Sequence, residues 1–194
     1  MMRRLAVAGW LLSIALFLAI TAYYIVCHHV SPLSRDQWHM LHALLEQGLW
    51  QTSITTVSGH RHILAFLLYD IDLRFFGGNN HFLVAVDWLL NLAFIAVILV
   101  QVRRCITDPW SRRVLSGWVV VLLCWLLNIA LLGWGFNGIN NYLSILNMVL
   151  AVVVLHRAVH EARYRLRDTA SAIALGVLAT LSFGNGILVW PIGV

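Results

Sequence analysis

The 194-residue chain contains no lysine; its 13 basic residues are all arginine, and charged residues of both signs make up only 11% of it. Hydrophobic residues make up 61%. A soluble domain of this length needs a charged, hydrated surface, and there are too few charges here to make one. The surplus apolar area has to face lipid, which leaves no room for a separate soluble catalytic domain. Cysteine is also scarce. Cys27 lies near the outer end of the first apolar run, Cys105 on the opposite face and Cys124 inside an apolar run. They cannot pair in one compartment, so no disulfide framework is implied. The formal charge of +5 could suit a nucleic acid. Most arginines, however, sit in short loops at hydrophobic boundaries, where they signal topology rather than form a groove-binding stripe. No nucleic-acid partner is expected.

The apolar runs give an all-α fold: one polytopic membrane domain over 1–194, with about five transmembrane helices and two outer surface helices. The expected spans are 5–27, 81–102, 114–132, 141–155 and 169–189, each judged against a hydrocarbon core of about 30 Å. Tyr23 and Tyr24 close the first run as interfacial aromatics do, so it reads as a retained helix rather than a cleaved signal. Pro109 breaks the chain between the second and third spans, and Gly133 to Gly138 form the next turn. Ten arginines fall in one set of loops and three (Arg35, Arg61 and Arg74) in the other. That bias places the N terminus in the cytoplasm and the 28–80 loop outside, in a bacterial inner (plasma) membrane. The chain stops at Trp190-Pro191-Ile192-Gly193-Val194 inside hydrophobic sequence, which suggests the first part of a longer polytopic protein.

The outer loop is too long for a simple connector. Its first half has helical periodicity, with Trp38, Leu41, Leu45 and Leu49 on one stripe and Ser34 as a cap. Such a helix lies on the membrane surface rather than crossing it. Its second half, 62–76, is amphipathic and more apolar; Asp70 and Arg74 are four apart and can pair along one face. Asp72 reads with Asp70 as part of a solvated face. Gly77-Gly78-Asn79-Asn80 ends that helix. The loop gathers Asp36, Glu46, Asp70 and Asp72 with many histidines, whereas the spans carry little charge beyond Asp87. A functional site is therefore sought on this outer face. Asp87, with Asn91 one turn on, is expected to face other helices. His60 and His62 are two apart and His39 and His42 three apart, but no Cys/His or His-Glu-x-x-His signature accompanies them. No metal site is assigned, and spans nearly free of His argue against haem.

The layout of a first helix, a long outer loop with two surface helices and an early acid, Asp36 in Ser34-Arg35-Asp36-Gln37-Trp38, resembles the GT-C superfamily of membrane glycosyltransferases. Gly59-His60-Arg61-His62, Asp70, Phe76-Gly77-Gly78-Asn79 and Ser182-Phe183-Gly184-Asn185-Gly186 with Trp190-Pro191 resemble bacterial proteins near that superfamily. The resemblance implies transfer of a sugar from a polyprenyl-phosphate carrier to a glycan or lipid acceptor at the outer face, with Asp36 as catalytic base. Many members have two adjacent acids at that early site, whereas Gln37 follows Asp36 here; a divalent metal is left open and no cofactor is assigned. Deprotonating an acceptor hydroxyl suits a carboxylate, and a lipid phosphate leaving group needs positive charge and N–H donors. Arg61, flanked by His60 and His62, is the first candidate for the phosphate, with Arg74 and Arg35 behind it. Asp70, Asn141 and Asn185 complete the substrate-binding candidates; Asn137 and Asn140 could also bind sugar hydroxyls, and all four asparagines also read as turn and helix-end residues. The alternative is a non-catalytic membrane subunit or scaffold handling lipid-linked glycans.

Overall fold

The computed structural model describes residues 2–28, 36–54, 62–125, 132–161 and 165–192, without the side chains of 2–5, 36, 37 and 192. These residues form helices and no strand. In chain order they are α1 (Met2–His28), α2 (Asp36–Ile54), α3 (Ile63–Phe75), α4 (His81–Cys105), α5 (Pro109–Leu123), α6 (Phe136–His160) and α7 (Arg165–Ser182). A 3₁₀ turn (Gly184–Leu188) and a short α8 (Val189–Ile192) follow.

Three helices are long and apolar enough to cross a membrane: α1 over Ala6–His28, α4 and α6. The shortest of these stretches has 23 residues; at roughly 1.5 Å per residue it exceeds a hydrocarbon core of about 30 Å. The other two expected spans have different extents. Helix α5 starts where Asp108 caps it, its carboxylate accepting from the Ser111 amide at 2.6 Å with Pro109 in the first turn. It ends at Leu123, and residues 126–131 of the expected 114–132 span lie outside the described residues.

The expected 169–189 span is not one helix. Helix α7 covers 18 residues, begins with Arg165, Arg167 and Asp168, and ends at Ser182. The chain then turns back on α7. A Cβ at Gly186 would lie 2.0 Å from the Ala179 carbonyl oxygen, so only glycine permits this contact. Trp190 completes the return, packing on Gly176 and donating from Nε1 to Thr180 Oγ1 at 3.1 Å. Helix α6 is longer than its expected 141–155. The Asn140 and Asn141 amides donate to the carbonyls of Phe136 and Asn137, one turn back, so polar residues read as turn continue the helix.

Helices α6 and α7 pack side by side, with α4 also against α6, α5 against α4 and α1 against α5. Trp10 meets Trp118 at a ring separation of 5.8 Å and Phe17 meets Trp125 at 5.6 Å. Leu11, Leu12, Leu16 and Ile20 of α1 are exposed, as lipid-facing residues are. The main apolar core lies at the opposite end of α4 from Arg103. Met40 and Leu44 of α2, with Phe66 and Tyr69 of α3, close over Leu83, Phe136 and Ile139. We call this assembly the cap.

The buried stripe of α2 is not the expected one. Met40 and Leu44 are inside, Leu41 and Leu49 half-buried, and Trp38 and Leu45 exposed. The helix has two apolar faces. One packs on α3, and the other leaves Trp38 and Trp50 outward, as indoles at a membrane interface are. It also kinks at Gly48, whose φ of 77° suits glycine, and Thr52 bonds across the kink to the Ala43 carbonyl at 3.0 Å.

Candidate functional site

The cap buries polar side chains as well as apolar ones. His62 stands at the start of α3, where its carbonyl accepts from the Phe66 amide. Its ring is 5% exposed, and Nδ1–H donates to Asn140 Oδ1 at 3.0 Å. Asn140 in turn donates to the Phe136 carbonyl at 3.0 Å. The imidazole also lies beside the rings of Phe66, Phe136 and Phe183, so one side chain joins α3, α6 and the segment after α7. It holds the segments around it in register.

Asp72, read from the sequence as part of a solvated face, has no exposed surface. The correction has a local cause. Its carbonyl accepts from the Phe76 and Gly78 amides, and its carboxylate Oδ2 accepts from the Asn80 amide at 3.3 Å. The whole residue is wrapped by the loop that links α3 to α4. Burial pushes its carboxyl above the ordinary aspartate value, partly offset by the Asn80 amide and His81. Burial, then the Asp72 charge, likewise raises the neighbouring Tyr69 phenol.

Asp70 and Arg74 form the expected pair, Nε to Oδ2 at 2.7 Å, with the Arg74 side chain 64% exposed. Asn141 is half-buried and bonds within its own helix to the Asn137 carbonyl at 2.8 Å. Asn185 is exposed in the 3₁₀ turn. Asp36 is the first residue of α2, its side chain outside the described residues; His60 and Arg61 lie outside them altogether. The structure thus joins His62 to Asn140 and Asp70 to Arg74. Spacing separates Asn140 from the other asparagines: Phe136, Asn140 and Ser144, four apart, are all buried, and Ser144 donates to the Ala179 carbonyl at 3.4 Å. Asn141 is one step, about 100°, off that stripe.

Within α4, Asp87 and Asn91 are both fully buried, as expected for residues facing other helices. Asn91 donates to the Leu123 carbonyl at 3.5 Å and approaches Cys124 Sγ at 3.9 Å. The Asp87 carboxylate has no hydrogen-bond partner among the described residues. All three cysteines are free thiols. Among the described residues, no group of three His, Cys, Asp or Glu side chains is placed to hold a metal ion.

Beside the cap, a groove of about 410 Å³ runs between α1 and α4. Ile25, Val26, Val84 and Trp88 make it apolar, and His81 stands at the cap end of α4. Its chemistry suits an aliphatic chain. Comparison with protein-family models, with curated proteins and with solved structures finds no match to this chain.

Proposed function

We propose that this protein is a membrane glycosyltransferase of the GT-C type, or the N-terminal part of one, using a polyprenyl-phosphate-linked sugar. The reading rests on one observation: two non-spanning helices between the first two apolar ones form a cap beside an apolar groove. The groove would take the polyprenyl chain, and the cap would place the sugar phosphate and a glycan or lipid acceptor at the membrane surface. In this reading Asp36 takes the acceptor proton, and Arg61 with His60 holds the lipid phosphate. His62 acts by holding α3 against α6 rather than by touching substrate. Asp36 supplies the lone early carboxylate, followed by Gln37, and no step is routed through a metal.

The same proposal carries about five spans, with α5 and α7 joining α1, α4 and α6. It places the N terminus in the cytoplasm of a bacterial inner membrane. The short 106–108 connection between α4 and α5 and the arginine bias favour this arrangement.

A non-catalytic subunit handling lipid-linked glycans is the second reading. What favours it is that His62, Asn140, Asp70 and Asp72 are all bonded within the protein. Transfer of labelled sugar from a polyprenyl-phosphate donor, with donor at saturation, separates the two. Asp36→Asn should retain donor binding and lose about 10²–10⁴-fold in transfer rate. Glu46→Gln, further along α2, should cost far less. Near-normal transfer by Asp36→Asn would sink the catalytic assignment.

A further inference from the structure

At the end of the bundle remote from the cap, a crevice of about 540 Å³ opens between α1, α4 and α5. Arg103 of α4 and Arg112 and Arg113 of α5 line its mouth, with Ser116 beside them. Leu11 and Ile14 of α1, Leu99 of α4 and Val120 of α5 continue it as an apolar channel. Its floor is closed where α1 crosses α5: a Cβ on Gly117 would meet the Trp10 indole at 2.5 Å. The three guanidinium groups have no carboxylate within ion-pair distance among the described residues. The carboxylate of nearby Asp108 already caps α5.

A second arginine-lined crevice, between α4 and α6, makes the contrast. It holds Arg104 and Arg157, but Arg157 is bound in a two-pronged pair to Asp168. One of its two arginines thus has an internal carboxylate, whereas in the first crevice none of the three has one among the described residues.

We propose that the α1/α4/α5 crevice binds one anionic phospholipid. Arg103, Arg112 and Arg113 hold its phosphate, and an acyl chain lies along the apolar channel. Three cations without a carboxylate partner among the described residues, at the mouth of an apolar channel, match an amphiphile with a charged phosphate head and an alkyl tail. A soluble phosphate would satisfy the arginines and leave the channel unfilled. Half-buried Arg112 is the residue through which head and channel meet.

The test is native mass spectrometry of the detergent-purified protein, titrated with dioleoyl phosphatidylglycerol or dioleoyl phosphatidylethanolamine. One phosphatidylglycerol should be retained in preference to phosphatidylethanolamine. Arg112→Gln should weaken retention about fivefold, and Arg103→Gln with Arg112→Gln more than about tenfold. The control Arg104→Gln with Arg165→Gln removes the same charge as that double variant from the same end and should leave retention nearly unchanged. Equal loss in the control, or equal retention of the two lipids by the unmodified protein, would reduce the effect to general attraction and overturn the site. Displacement of phosphatidylglycerol by millimolar inorganic phosphate would make it a small-anion site and overturn the lipid assignment.

Discussion

In the cap, Asp72 lies wholly inside with a backbone amide on its carboxylate, and Asp70 is matched by Arg74. At the other end of the bundle Arg103, Arg112 and Arg113 open onto a crevice without an acidic partner among the described residues. The cap uses its polar groups as internal fasteners, whereas the arginine end leaves charge available to something outside the protein. The same contrast holds for packing: cap residues such as Phe66 have no exposed surface, while Leu16 in the middle of α1 is 60% exposed. Stability should therefore be concentrated in the cap, even though α2 and α3 are not among the helices long and apolar enough to cross a membrane.

The most severe way to break that contrast is to empty the cap. Phe66→Ala should lower unfolding stability by about 3–5 kcal/mol, whereas Leu16→Ala should change it by about 0.5 kcal/mol or less. Thermal unfolding in a fixed detergent checks both, and equal effects would mean the cap is not the core. Next in size is the His62–Asn140 bond. Asn140→Ala leaves a buried imidazole N–H without its partner and should cost about 1–3 kcal/mol. Asn141→Ala, one residue on, should cost less than about 0.5 kcal/mol because its amide bonds within α6, to the Asn137 carbonyl.

A smaller, pH-dependent effect should come from Asp72. Its carboxyl titrates above the ordinary value of 3.8 in the folded protein, chiefly through burial. Its protonated form is thus favoured by folding. The stability it adds is full below the ordinary aspartate value and is lost as pH rises through the raised one. Asp72→Asn should flatten that decline in the unfolding midpoint, and an unchanged slope would remove the assignment. Last comes Arg74→Ala. Arg74 is the exposed end of a pair whose Asp70 carboxylate is buried, so the loss should be about 1 kcal/mol or less, and added salt should erase part of the difference from the unmodified protein.

The long apolar helices were legible because length and hydropathy alone decide them: α1, α4 and α6 all lie where uninterrupted apolar runs place them. Helix α7 ends at Ser182, short of the expected 189, although its last turn and the returning segment are equally apolar. What ends the helix there is the close approach of Gly186 to Ala179, a tertiary contact with no trace in hydropathy. The α2 stripe was misread because that helix has two apolar faces, and only the packing of α3 selects Met40 and Leu44. Asp72 was misread because the Asp70–Arg74 spacing supplies a local reason for acids in α3. That reason holds for Asp70, whereas Asp72 points the other way, into the loop before α4. The proposed chemistry at Asp36 and Arg61 rests on motif and layout, since neither side chain is among those described.

Along α1, the residues that are not exposed are Val7, Trp10, Ile14, Phe17, Leu18, Thr21 and Ile25, recurring every three or four positions as one seam. Everything between them faces outward. This helix therefore carries two kinds of information. The seam specifies a neighbour, and a change there alters how α1 sits on α5. The exposed apolar positions away from the two crevices, such as Leu12, Leu16 and Ile20, specify only an oily environment, so leucine, isoleucine, valine and phenylalanine are interchangeable at them. Sequences descended from a common ancestor would preserve the seam and let those positions wander.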